Sequence, residues 1–288
     1  MSFLRDLTNT IESIGVVCFL TILATEVLGL VIIYPKIAYE ISNTPISFYI
    51  TAPIPYVIFR VREEITVLVF HVECFLIFLI FSYILLNSYR RILTDNRIRF
   101  LLKAFSLIVI SQIAYVVLIN VIGVKTYSPI SEFSLSELVV LMLHASIYEE
   151  VLLRIAYLGV PIYILRKITG QNINLKDILF GGMKVDKPVV VFLILSSVAF
   201  GLAHVPGWGV YKAVPTFLAG LIFGYAYVKK GIPASIILHF GVDFSVVLLT
   251  VNTSDVFVYT ILALFLVILA NGVMILLNRI YYIFTKCR

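Results

Sequence analysis

Charge is what this chain has least of. Asp, Glu, Lys and Arg make up 13% of its 288 residues and hydrophobic residues 61%, with a mean hydropathy of +1.07. A soluble domain, with about 45–50% apolar residues, is excluded by that balance, and a polytopic membrane protein is implied. Cysteine is scarce too. Cys18, Cys74 and Cys287 are far apart and form no C-x-x-C pair, which argues against a zinc knuckle or a disulfide framework and assigns them to packing. No internal repeat, low-complexity tract or linker-bounded second domain interrupts the chain, so residues 1–288 read as a single transmembrane domain. No nucleic-acid-binding motif accompanies the net charge of +6. That charge fits loop topology and contact with anionic membrane lipids, and no nucleic-acid partner is expected.

What the chain has in quantity is apolar segments of spanning length. They lie near 14–35, 65–87, 104–124, 137–165, 188–206, 213–229, 232–251 and 256–278. At about 20 residues per crossing they predict an all-α, polytopic membrane protein of about eight transmembrane helices enclosing an intramembrane cavity. The first segment exceeds a signal-peptide core and carries Glu26 in its middle with no small-residue cleavage motif after it, so it reads as a retained span. Lysine and arginine concentrate in alternate connections: Arg90, Arg91, Arg97, Arg99 and Lys103; then Arg166, Lys167, Lys176, Lys184 and Lys187; then Lys229 and Lys230. The opposite side has Lys36, Arg60, Arg62, Lys125 and Lys212. Cytoplasmic loops retain positive charge, so both termini of this multi-pass protein are predicted cytoplasmic.

Ionisable residues inside spans cost about 2.5–3.5 kcal/mol each at mid-bilayer and mark functional sites by default. Three clusters stand out. In "HASIYEEVLLR", Glu150 and Arg154 are four apart and share a helix face, where they can neutralise each other. Glu149, rotated by about 100° from Glu150, faces elsewhere and is a candidate base. In "AFGLAHVPGW", Phe200 and His204 are four apart, just before the helix breakers Pro206 and Gly207. In "GIPASIILHFGVDF", His239 and Asp243 share a face behind the start signal of Gly231 and Pro233. Such a pair bonds internally, lines a proton path or belongs to a catalytic or metal site. His144 and Glu26 could line the same cavity, whereas His71 and Glu73, two apart in "HVECF", point to different faces and read as helix packing. Gly220 and Gly224 have the spacing that lets helices approach closely.

Together the three clusters resemble the CPBP family of intramembrane proteases, which includes the type II CAAX prenyl protease and bacteriocin-processing or self-immunity proteins. The motifs E-E-x-x-x-R, F-x-x-x-H and H-x-x-x-N/D read here as Glu149-Glu150 with Arg154, Phe200 with His204, and His239 with Asp243. The resemblance covers roughly 135–255, the expected catalytic core. It implies an intramembrane endopeptidase in which Glu149 activates water, assisted by His204, while His239 and Asp243 stabilise the oxyanion. Glu150, Arg154 and Phe200 would support the site.

One departure matters. The prenyl proteases carry Asn where this chain has Asp243, and an ionised Asp only accepts hydrogen bonds, so orientation of His239 is the role expected of it. The substrate implied is a peptide or prenylated protein, with removal of a C-terminal tripeptide as one form. Glu149, His204, His239 and Asp243 would also make a set that zinc or another divalent metal accepts, although the reading adopted is that no cofactor is required. A non-catalytic scaffold or immunity protein on the same fold, and an ion- or proton-coupled transporter, are the alternatives.

Overall fold

A backbone withdrawn from water must satisfy its own N–H and C=O groups, which is why long apolar runs become helices. The computed structural model describes residues 2–41, 46–51, 55–61, 63–250 and 254–286; Arg62, Cys287 and Arg288 lie outside the described residues. The helices are α1 (Ser2–Glu40), α2 (Glu63–Ser88), α3 (Asn96–Val121), α4 (Leu135–Glu150), α5 (Val160–Ile168), α6 (Leu175–Phe180), α7 (Lys187–Ala203), α8 (Val205–Trp208), α9 (Ala213–Lys230), α10 (Ile232–Thr250) and α11 (Asp255–Lys286). Among the described residues one exception to the helical architecture sits between α1 and α2. There β1 (Ile46–Thr51) pairs antiparallel with β2 (Pro55–Val61), from Ile46 opposite Val61 to Thr51 opposite Pro55.

Among the described residues, six helices are long and apolar enough to cross a membrane: α1, α2, α3, α7 with α8, α10 and α11. The remaining two segments predicted from hydropathy correspond to α9 and to the run from α4 to α5. That run is continuous but not regular, because Val151–Gly159 forms a π-helix between α4 and α5. Pro161 explains the widening: it has no N–H to donate, and its ring clashes with the carbonyl one turn earlier, at Tyr157.

Helix faces divide between protein and lipid. In α2, Phe70, Glu73, Ile77 and Ile84 are buried, while Leu68, Phe75, Leu79 and Leu86 are exposed, a division that suits hydrocarbon outside and packed protein inside. Helix α7 lies against α9, α10 against α4, and α1 against α11. A Cβ at Gly220 would stand 2.9 Å from Phe200 and 3.2 Å from the Ser197 backbone, and one at Gly224 would meet Leu193. The small-residue stripe of α9 is thus the seat of α7. Cys18 is buried and Cys74 half-buried, both as free thiols.

Caps set where the site-bearing helices begin. Ser134 and Glu137 form a reciprocal capping box at the start of α4, and Asp186 accepts from the Val189 amide at the start of α7. The turn into α10 needs Gly231, whose φ is +84°; a Cβ there would collide with the Phe180 backbone. This close approach to the end of α6 fixes the origin of the helix that carries His239.

Candidate active site

Glu149 and Glu150 close α4, and the facing helix α10 brings His239 between them. Neighbouring side chains on a helix diverge by about 100°, so the two carboxylates reach different edges of one imidazole. Glu150 Oε1 accepts from His239 Nδ1 at 3.0 Å, and Glu149 Oε2 lies 3.9 Å from His239 Nε2. Asp243, one turn along α10, places Oδ2 3.3 Å from the same Nε2. A carboxylate paired with Arg154 accepts, so Nδ1 carries a proton toward Glu150, while Nε2 faces Asp243. His239 is 3% exposed and Glu150 fully enclosed, which confines these charges to one another.

Arg154 is the fixed cation of this cluster and is fully buried. Its Nε donates to Glu150 Oε2 at 2.9 Å, Nη2 to Oε1 at 3.3 Å, and Nη1 to the Ser196 hydroxyl at 3.0 Å. The fork of donors matches the planar carboxylate. Ser235 completes the carboxylate shell by donating to Glu150 Oε2, and its hydroxyl also lies 3.1 Å from the Phe223 carbonyl.

Phe200 links the three motifs. The Arg154 guanidinium lies over its ring at 5.4 Å. His204 and His239 each meet the same ring in a T-shaped arrangement, with centroids at 4.9 Å and 5.6 Å. Phe223 stacks on the other side of His239, at 4.8 Å and 19°.

His204 stands at the end of α7, which stops there because Pro206 cannot continue the hydrogen-bond ladder. Its Nδ1 lies 2.9 Å from the Phe200 carbonyl. A carbonyl only accepts, so Nδ1 holds a proton toward it, and Nε2 is the ring's other nitrogen. Glu149, His204, His239 and Asp243 all line one cavity of about 760 Å³, within the range of small-molecule sites.

Other ionisable groups sort around this cavity. His144 lines it, stacks on Tyr148 at 5.1 Å and bonds Glu73 of α2 across 2.7 Å. Glu73, read from the sequence as packing, is therefore the partner of a cavity residue. Glu26 is buried behind the wall, where it accepts from Ser245 at 2.9 Å, and it is not among the lining residues. Lys212, in the short turn before α9, is the lysine or arginine that lines the cavity among the described residues. Burial pushes its ammonium below the usual lysine range, with Asp243 pulling the other way.

Sequence reasoning did not single out Ser196 or Ser235, yet a signal exists for both. Ser196 precedes Phe200 by four residues and Ser235 precedes His239 by four, which extends each motif by one helical turn.

Among the described residues, no group of three or more His, Cys, Asp or Glu side chains is disposed to hold a metal ion. His239 in particular has a carboxylate at each ring nitrogen.

Residues 131–245 match the family model of the type II CAAX prenyl endopeptidase Rce1-like proteins, a segment that contains all three motifs. No curated protein and no solved structure matches the chain with significant similarity.

Proposed function

We infer that this chain is a CPBP-family intramembrane protease, a reading supported by the match of residues 131–245 to the Rce1-like CAAX endopeptidases, and that it hydrolyses a peptide bond near the C-terminus of a prenylated substrate with water activated by Glu149. The observation that carries this reading is that Glu149 and His204 open on the same cavity as the His239–Asp243 pair. Glu149 takes a proton from water, and the hydroxide attacks the scissile carbonyl carbon. His239 donates its Nε2 proton to the developing oxyanion, which replaces Asp243 as acceptor, while Glu150 holds Nδ1 and so the ring. Collapse of the intermediate breaks the C–N bond, and the amine leaves with the proton held by Glu149, relayed through Nε2 of His204. No metal enters these steps.

Glu150, Arg154 and Phe200 act through position. Arg154 keeps Glu150 ionised and aimed at His239, and Phe200 is the surface against which Arg154, His204 and His239 rest. In this reading the whole chain is one membrane domain with 135–255 as its catalytic core. Both termini are cytoplasmic, supported by the lysines and arginines of alternate connections. The apolar cavity wall, with Ile108, Val109, Ile113 and Phe265, supports a lipidated peptide over a plain one.

Glu149→Gln and His204→Ala are each expected to lower cleavage by about 10²–10⁴-fold in purified protein that unfolds at the wild-type temperature. Full cleavage by either variant sinks the mechanism. A panel of prenylated and unprenylated peptides, with and without chelator, should show preference for the prenylated form and no loss on chelation. A scaffold would cleave neither peptide, and a transporter would instead show flux in proteoliposomes.

A further inference from the structure

Lys212 is unusual for the position it occupies. A cation in an apolar intramembrane cavity is costly unless it meets an anion, and the nearby Asp243 is already engaged at His239 Nε2. The Lys212 ammonium rests 4.3 Å over the Trp208 ring, and Trp208 lines the same cavity.

The backbone around Lys212 is fastened down. Tyr115 of α3 donates to the Tyr211 carbonyl at 2.7 Å, and Gln112 of α3 to the Pro215 carbonyl at 2.9 Å. The Thr216 hydroxyl donates to the carbonyl of Lys212 itself at 2.6 Å. This lysine is therefore held at the cavity by α3 and α9 rather than tethered to a loose loop. The short stretch from His204 to Lys212 also carries both a proposed catalytic histidine and this cation to the cavity wall.

We propose that Lys212 binds the free C-terminal carboxylate of the substrate, so that hydrolysis falls a fixed short distance from a chain end. The proposal rests on the peptidase reading above. An extended peptide advances about 3.3–3.6 Å per residue, so an anchored end sets which bond reaches Glu149. A carboxylate placed beside Lys212 would replace the hydration that burial takes from the ammonium, and would do so without drawing Asp243 from His239. A charge-assisted bond of this kind is short and directional, which makes Lys212 a gauge of where the chain ends as well as a source of affinity.

The test compares one peptide sequence ending in a free carboxylate with the same sequence ending in a carboxamide. Binding is measured by calorimetry and turnover by product release, in wild type, Lys212→Met and Lys212→Arg. Wild type should bind the acid about tenfold or more tightly than the amide, as expected for a charged hydrogen bond, with the turnover difference appearing in KM rather than kcat. Lys212→Met should erase that preference and Lys212→Arg should retain most of it. Equal binding of acid and amide by wild type overturns the anchor whatever the turnover, and so does a preference that survives in Lys212→Met. Acid-selective binding without any cleavage instead defeats the peptidase reading and leaves the anchor standing. The wild-type comparison involves no substitution, so a variant that fails to fold cannot hide the answer.

Discussion

Two buried carboxylate–histidine pairs border the same cavity, and they are built on different plans. Glu150 and His239 sit inside a network in which Arg154, Ser196, Ser235 and Asp243 satisfy the remaining polar atoms. Glu73 and His144 form a direct contact between α2 and α4, with the His144 ring lying on Tyr148. In the first case a fixed guanidinium compensates the carboxylate, and the other imidazole nitrogen faces Asp243 and Glu149 at the cavity. In the second, the histidine itself is the principal partner of the acid and acts as a tie between helices. Both pairs cost desolvation, but the arginine-centred one has far more to lose when a member is removed.

The largest expected effect therefore falls on Arg154. Replacing it with Met leaves Glu150 enclosed without its cation, and loss of one partner from a buried ion pair costs about 3–5 kcal/mol. Unfolding of the purified variant in detergent should reveal that loss, and Glu150→Gln combined with Arg154→Met should recover part of it. If the double variant is no more stable than Arg154→Met alone, compensation of Glu150 is not the role of Arg154. Glu73→Gln should do less. An amide can still accept from His144, so a loss of about 1–2 kcal/mol is expected, typical of one weakened buried hydrogen bond. A cost equal to that of Arg154→Met would erase the distinction between the pairs.

How far the site could be read from sequence follows the range of each interaction. Glu150 with Arg154, Phe200 with His204 and His239 with Asp243 are contacts at a spacing of four, which any regular helix brings together, and Glu149 reaches the cavity because its position is rotated by about 100° from that of Glu150. The match of 131–245 to one family adds the order in which the three motifs occur. The Glu73–His144 bond was not legible, because its partners lie 71 residues apart and only the packing of α2 on α4 joins them. The π-helix was hidden for another reason. Apolar periodicity reports a face, whereas the widening depends on a missing N–H at Pro161 and the backbone upstream of it. Lys212 was read as a loop charge, since nothing in a linear sequence shows that the turn before α9 folds over the cavity.

The last effect in this comparison, no larger than that at Glu73, is at Ser196, and it probes whether Arg154 is positioned by more than Glu150. The Ser196 hydroxyl receives Nη1 at 3.0 Å, while Nε and Nη2 go to Glu150. Ser196→Ala removes one acceptor and leaves the ionic fork in place, so the stability loss should be about 1–2 kcal/mol, at the lower end for a bond to a charged group. Because Nη1 then has no acceptor, the guanidinium can tilt on the Phe200 ring, and Glu150 with it. The consequence to measure is a fall in kcat with KM unchanged, since Glu150 sets the angle of His239 and not the affinity for peptide. A loss of stability with kcat intact would mean that the two bonds to Glu150 alone hold the guanidinium, and that the arginine network ends one residue sooner than its geometry suggests.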